Sequence, residues 1–112
     1  MQPLQLGPVD RLILELRDPK DRELTRLEAR WLSRQADRAE VALFDMRDKV
    51  TVEAIGRELV IIADQGKMDP VALGYMIASR LAERAGIVLE DLKVGYADGQ
   101  IVLVGKPRVF RD

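Results

Sequence analysis

Three aspartates come nearest to a reaction centre in this chain. Asp45 and Asp48 flank the end of one predicted strand, and Asp64 closes the apolar run Val60-Ile61-Ile62-Ala63. Carboxylates at two strand ends are the oxygen ligands that Mg²⁺ takes in metal-assisted phosphoryl chemistry. Their spacing matches no nuclease or phosphatase motif, however, and turn and capping chemistry accounts for each Asp without a metal. The chain has no histidine and no cysteine. That removes the commonest general base, the imidazole and thiolate metal ligands, and every Ser-His or Cys-His pair. Tyr75 and Tyr96 have no acid or base at a diagnostic spacing and read as packing residues. Gly95 and Gly99 fall in a hairpin, not in the strand, glycine turn and helix order of a phosphate loop. The residues point away from an enzyme, and no catalytic residue, cofactor or metal is assigned.

A second pattern is more regular. Arg22, Arg26, Arg30, Arg34 and Arg38 stand four residues apart in a stretch of helical apolar spacing. At about 100° per residue each advances about 40° on the last, so they form a strip winding along one flank. Like charges at i, i+4 weaken a helix by a few tenths of a kcal/mol each. Glu23, Glu28 and Asp37 relieve part of this, leaving six bases against four acids from Lys20 to Arg38. Three readings follow: a solvated face, a contact surface for an acidic protein or a second subunit, and a phosphate-contacting face for nucleic acid. Trp31, the only tryptophan, falls on the expected apolar side of the same helix with Leu24 and Leu27, as a core residue or an interface anchor. The tail contributes Lys106, Arg108 and Arg111 to the nucleic-acid reading, or simply frays.

Elements must position these residues. Val9, Leu12, Ile13 and Leu16 behind Pro8 predict a short helix over 8–17, against a strand with Leu12, Leu14 and Leu16 on one side. Asp18 as cap and Pro19 at the first helical position predict a helix from about 19 to about 38. Val41–Met46 and Val50–Ile55 read as strands, and Gly56-Arg57 as a two-residue II′ turn into a third, Glu58–Ala63. The rival for 52–64 is a helix. Asp69-Pro70 starts a helix that Gly86 ends at Ala85. Asp98-Gly99 predicts a type I′ hairpin between 93–97 and 100–104.

The whole is an α+β two-layer domain over residues 1–112, an antiparallel sheet of about five strands (a three-strand meander plus the C-terminal hairpin) covered by helices. If 12–17 were a strand, the order would approach a ferredoxin-like arrangement. In element order alone the chain resembles the type III secretion chaperones, small acidic homodimers, with no residue motif of theirs in it. With 112 residues, 47% hydrophobic and 33% charged, one soluble core is expected. No run approaches the roughly 20 apolar residues of a membrane span, and the first residues lack signal-peptide character, so a cytoplasmic protein is expected. A net charge of −1 supplies no global attraction to nucleic acid. The expected function is a self-associating interaction or adaptor module, contacting a protein partner or a second copy through Arg22, Arg26, Arg30, Arg34, Arg38 and Trp31. A nucleic-acid-binding protein is the alternative, and a Mg-dependent enzyme on Asp45, Asp48 and Asp64 the remotest one.

Overall fold

A computed structural model describes residues 6–19, 23–46 and 49–109. The elements are α1 (Pro8–Leu16), α2 (Arg26–Ala42), a 3-10 turn (Phe44–Met46), β1 (Val50–Ile55), β2 (Glu58–Asp64), α3 (Pro70–Ala85), β3 (Ile87–Ala97) and β4 (Gln100–Val109). The four strands form one antiparallel sheet in the order β1-β2-β4-β3. The class is α+β as the sequence predicts, with one strand fewer.

The missing strand is the stretch from Val41 to Met46. Leu32, Ala36, Ala39 and Leu43 keep a helical spacing of buried positions, so α2 runs on to Ala42 while the β-formers Val41 and Phe44 point into solvent. Burial of a helical stripe overrides strand propensity here. The start of α2 also lies later than predicted. Thr25 caps it in a full capping box: its hydroxyl accepts from the Glu28 N–H, and the Glu28 carboxylate accepts from the Thr25 N–H. Asp18 does not cap α2; its N–H donates to Glu58 Oε1 at 3.0 Å and its carboxylate pairs with Lys106 at 3.0 Å.

Local signals elsewhere hold. Asp69 accepts from the Ala72 N–H at the start of α3, and Gly86 ends it in the left-handed conformation. Of the two residues in the β1–β2 turn only Gly56 has positive φ, as a II′ turn requires, and both Asp98 and Gly99 have it in the β3–β4 turn, as I′ requires. Residues 52–64 are therefore a hairpin and 8–16 a helix, which removes the ferredoxin-like order. The β3–β4 hairpin is longer than predicted at both ends, and Lys106–Val109 belong to β4, not to a frayed tail.

The main core lies between one sheet face and the pair α2, α3. Leu59, Ile61, Ile101 and Leu103 from the strands meet Leu43, Leu73, Ile77 and Leu81. The sheet has a second, smaller core on its reverse face, where Leu12, Ile13 and Leu16 of α1 lie against Val60, Val102 and Val104. Helices thus stand on both faces, beyond the two layers expected. Gly95 makes this possible, because a Cβ there would come within 2.6 Å of the Leu12 side chain.

One irregularity bears on the surface. The register steps from Glu90↔Lys106 to Lys93↔Val104, so Asp91 and Leu92 together oppose Gly105, with Asp91 at positive φ. Such a bulge re-aims the strand. Gly105 has to be glycine, since a Cβ would lie 2.8 Å from that of Leu89.

Candidate interaction surface

Helix α2 buries Leu32, Gln35, Ala36, Ala39 and Ala42. Three alanines on that stripe let it lie close to β1 and α3, which fixes its rotation. Arg26, Arg30, Arg34 and Arg38 then all face solvent, as their spacing predicts; Arg22 lies outside the described residues. The apolar side is placed differently from the expectation. Leu27 is 77% exposed, and Trp31 is half-buried. At about 100° per residue Leu27 projects between Arg34 and Arg38, and Trp31 just beyond Arg38. The two apolar residues stand within and beside the arginine strip, not under it.

The basic residues divide by partner. Arg57 bonds Glu28 at 3.2 Å, Arg80 and Arg84 bond Asp45 at 2.8 and 2.9 Å, Arg108 bonds Glu90 at 3.3 Å, and Lys106 bonds Asp18 at 3.0 Å. The Asp18 carboxylate raises the Lys106 ammonium above its ordinary value. Glu28, whose carboxylate accepts from the Thr25 N–H and meets Arg57, is held below the usual carboxylate range. Among the described residues Arg38 reaches no acid: it donates to Gln35 Oε1 at 2.8 Å and to the Ala85 carbonyl at the end of α3. Among the described residues Arg26, Arg30 and Arg34 have no carboxylate partner.

A cleft of about 880 Å³ joins part of the strip to the sheet, lined by Trp31, Arg34, Arg38, Glu90, Pro107 and Arg108 among others. The cleft exists because β4 runs past the end of β2 at Gly105, leaving Lys106–Val109 paired only to β3. Three guanidinium groups stand around it against the one carboxylate of Glu90, so an anion entering it meets net positive charge beside an indole face. A neighbouring apolar hollow lies between Leu27, Trp31 and Leu32, bordered by Arg57 and Lys106.

Other sequence candidates lie apart. Asp45 is held by Arg80 and Arg84, and Arg84 lowers its carboxyl below the ordinary value. Asp64 accepts from Gln100 Nε2 at 2.8 Å, and Asp48 is outside the described residues. No group of three or more acidic side chains placed to hold a metal ion occurs among the described residues. Of the tail residues assigned to nucleic acid, Arg108 joins the cleft, Lys106 is taken by Asp18, and Arg111 is outside the described residues. The sequence reading missed Glu90 and the Ala85 carbonyl as neighbours of the strip. Both arrive through tertiary packing that no local spacing signals.

Comparisons of the chain with protein-family models, with curated proteins and with solved structures returned no match. No helix among the described residues is long and apolar enough to cross a membrane.

Proposed function

We propose that the chain is a non-enzymatic, self-associating binding module that takes an acidic segment of a partner protein along the exposed flank of α2. The observation that carries this is the contrast on the surface: Arg57, Arg80, Arg84 and Arg108 each bond an acid of the chain, whereas Arg26, Arg30 and Arg34 bond none among the described residues. Like charges in series cost helix stability. An exposed leucine beside them adds nothing to the core.

The chemistry of recognition follows from the side chains. Guanidinium groups bind carboxylates through paired N–H donors. A single exposed pair contributes little, at most about 1 kcal/mol, so affinity needs several pairs along one segment together with burial of Leu27 and Trp31. The preferred ligand therefore alternates acids with an apolar or aromatic residue, and its affinity falls with added salt.

Trp31 is the only tryptophan, so its fluorescence reports on this surface directly. Titration with a glutamate-rich peptide carrying one phenylalanine is expected to change its emission at low salt. Reversing charge at Arg30 and Arg34 together should abolish the change, and Arg11→Glu on α1 should leave it intact. A response to single-stranded DNA or RNA in place of the peptide would transfer the surface to phosphate recognition; silence toward both would leave the strip as a solvated face.

A further inference from the structure

The open edge of β3 is built unlike the other margins of the sheet. The far edge, β1, carries exposed Thr51 and Glu53, and the part of β4 beyond β2 carries Lys106 and Pro107, whose missing N–H discourages another strand. From Val94 to Ala97 β3 has neither a charge nor a proline, the usual means by which an edge is protected from pairing. Ala97 and Gln100 close the two-residue turn. The pair closing such a turn is hydrogen-bonded, so by alternation Val94 and Tyr96 direct their N–H and C=O groups away from β4, toward the open edge.

Their side chains stand on the α3 side of the sheet and are 52% and 56% exposed. Beside them α3 turns outward Val71 and Tyr75, 70% and 75% exposed, with no charged residue between Pro70 and Ser79. An apolar groove of about 380 Å³ lies between helix and strand, lined by Val71, Tyr75, Leu92 and Val94 among others. An uncharged flank of this kind offers an acidic partner nothing to pair with.

We propose that this edge pairs with the same edge of a second copy about a two-fold axis at Gly95. In that register Gly95 faces Gly95 of the second copy, and each Val94 faces a Tyr96, an aromatic and β-branched cross-strand pair formed on both sides of the axis. Val94 and Tyr96 carry the outward backbone groups, so both Val94–Tyr96 pairs exchange hydrogen bonds. The charges at the margins are complementary: Lys93 opposes Ala97 of the second copy, the residue before Asp98. The two grooves along α3 then meet over a continuous eight-stranded sheet. This rests on the self-association half of the function proposed above and is independent of its arginine half.

Sedimentation equilibrium from low to high micromolar concentration should show twice the 12.6 kDa chain mass. Val94→Lys and Tyr96→Lys, each placing a charge on the exposed edge, should each raise the dissociation constant by about tenfold or more, while Leu27→Lys leaves it unchanged. Hydrogen exchange of the unaltered chain gives a second readout: the Val94 and Tyr96 amides should be slow in concentrated and fast in dilute samples, with Lys93 and Gly95 slow in both. A single-chain mass throughout, a dimer untouched by Val94→Lys, or Val94 and Tyr96 amides indifferent to concentration would each overturn the proposal. The Trp31 response to acidic peptide should persist in Val94→Lys, so loss of the dimer and loss of peptide binding are read separately.

Discussion

Arg84 and Asp45 bond at 2.9 Å between the last turn of α3 and the 3-10 turn after α2, and the same guanidinium nitrogen donates to the Ala42 carbonyl at 3.0 Å. One arginine thus satisfies an orphan carbonyl at the end of α2 and anchors the turn that follows. Arg80 holds the other Asp45 oxygen at 2.8 Å. This junction stands where the sequence predicts a strand, and it explains why the chain turns there instead of extending into a third member of the meander.

The junction is expected to be acid-sensitive. Arg84 holds the Asp45 carboxyl below the usual carboxylate range, so the folded state binds this proton less readily than the unfolded one. The contribution is therefore present above the unfolded pKa and is lost as pH falls through the lower folded value. Denaturant unfolding of the natural chain and of Asp45→Asn should differ at neutral pH, and the gap should close in strong acid. A gap of equal size at both pH values would show that the ion pair is not its source.

The cap of α2 permits a sharper comparison. Removing the Thr25 hydroxyl by Thr25→Ala leaves the Glu28 N–H without its acceptor, at a cost of about 1 kcal/mol. Because Glu28 completes the same box, the double variant Thr25→Ala, Glu28→Ala should be less destabilised than the sum of its two single variants. Additive losses in a double-mutant cycle would mean that the two halves of the box act independently.

How far the fold was legible follows the range of each interaction. Pro8, Asp69-Pro70, Gly86, Gly56 and Asp98-Gly99 act on their own neighbours, and each marks its element correctly. Thr25-Arg-Leu-Glu28 is equally local, but Asp18-Pro19 offers a stronger-looking start. Asp18 is instead occupied by Glu58 and Lys106, partners 40 and 88 residues away, which no window in the sequence contains. The same divide runs through the candidate surface. The spacing of four puts Arg26, Arg30, Arg34 and Arg38 on one flank, but whether Leu27 lies beneath or among them depends on the rotation of α2, and that is set by Ala36, Ala39 and Ala42 against β1 and α3.

Gly95 should prove essential to the reverse face. A Cβ at this position would lie 2.6 to 2.9 Å from the Leu12 side-chain carbons, so Gly95→Val forces α1 outward, with an overpacking cost of about 1–3 kcal/mol. Faster amide exchange confined to α1 is the expected signature. Shortening the opposing residue in Gly95→Val, Leu12→Ala should recover part of the loss; a double variant less stable than either single one would contradict this packing.

Two arginines of one strip should respond in opposite senses to removal. Arg30 is exposed and bonds no acid among the described residues, while Arg26 and Arg34 repel it from one turn away, so Arg30→Gln should leave stability unchanged or raise it by a few tenths of a kcal/mol. Arg38 lies one turn beyond Arg34 but ties α2 to the last carbonyl of α3 and to Gln35; Arg38→Gln should lower stability by about 1 kcal/mol, since it abandons both acceptors. Thermal unfolding of the two variants at neutral pH gives the comparison. Equal losses would show that Arg30 has an intramolecular role, and the acidic-partner reading would lose its basis, because that reading needs arginines which the fold itself does not use.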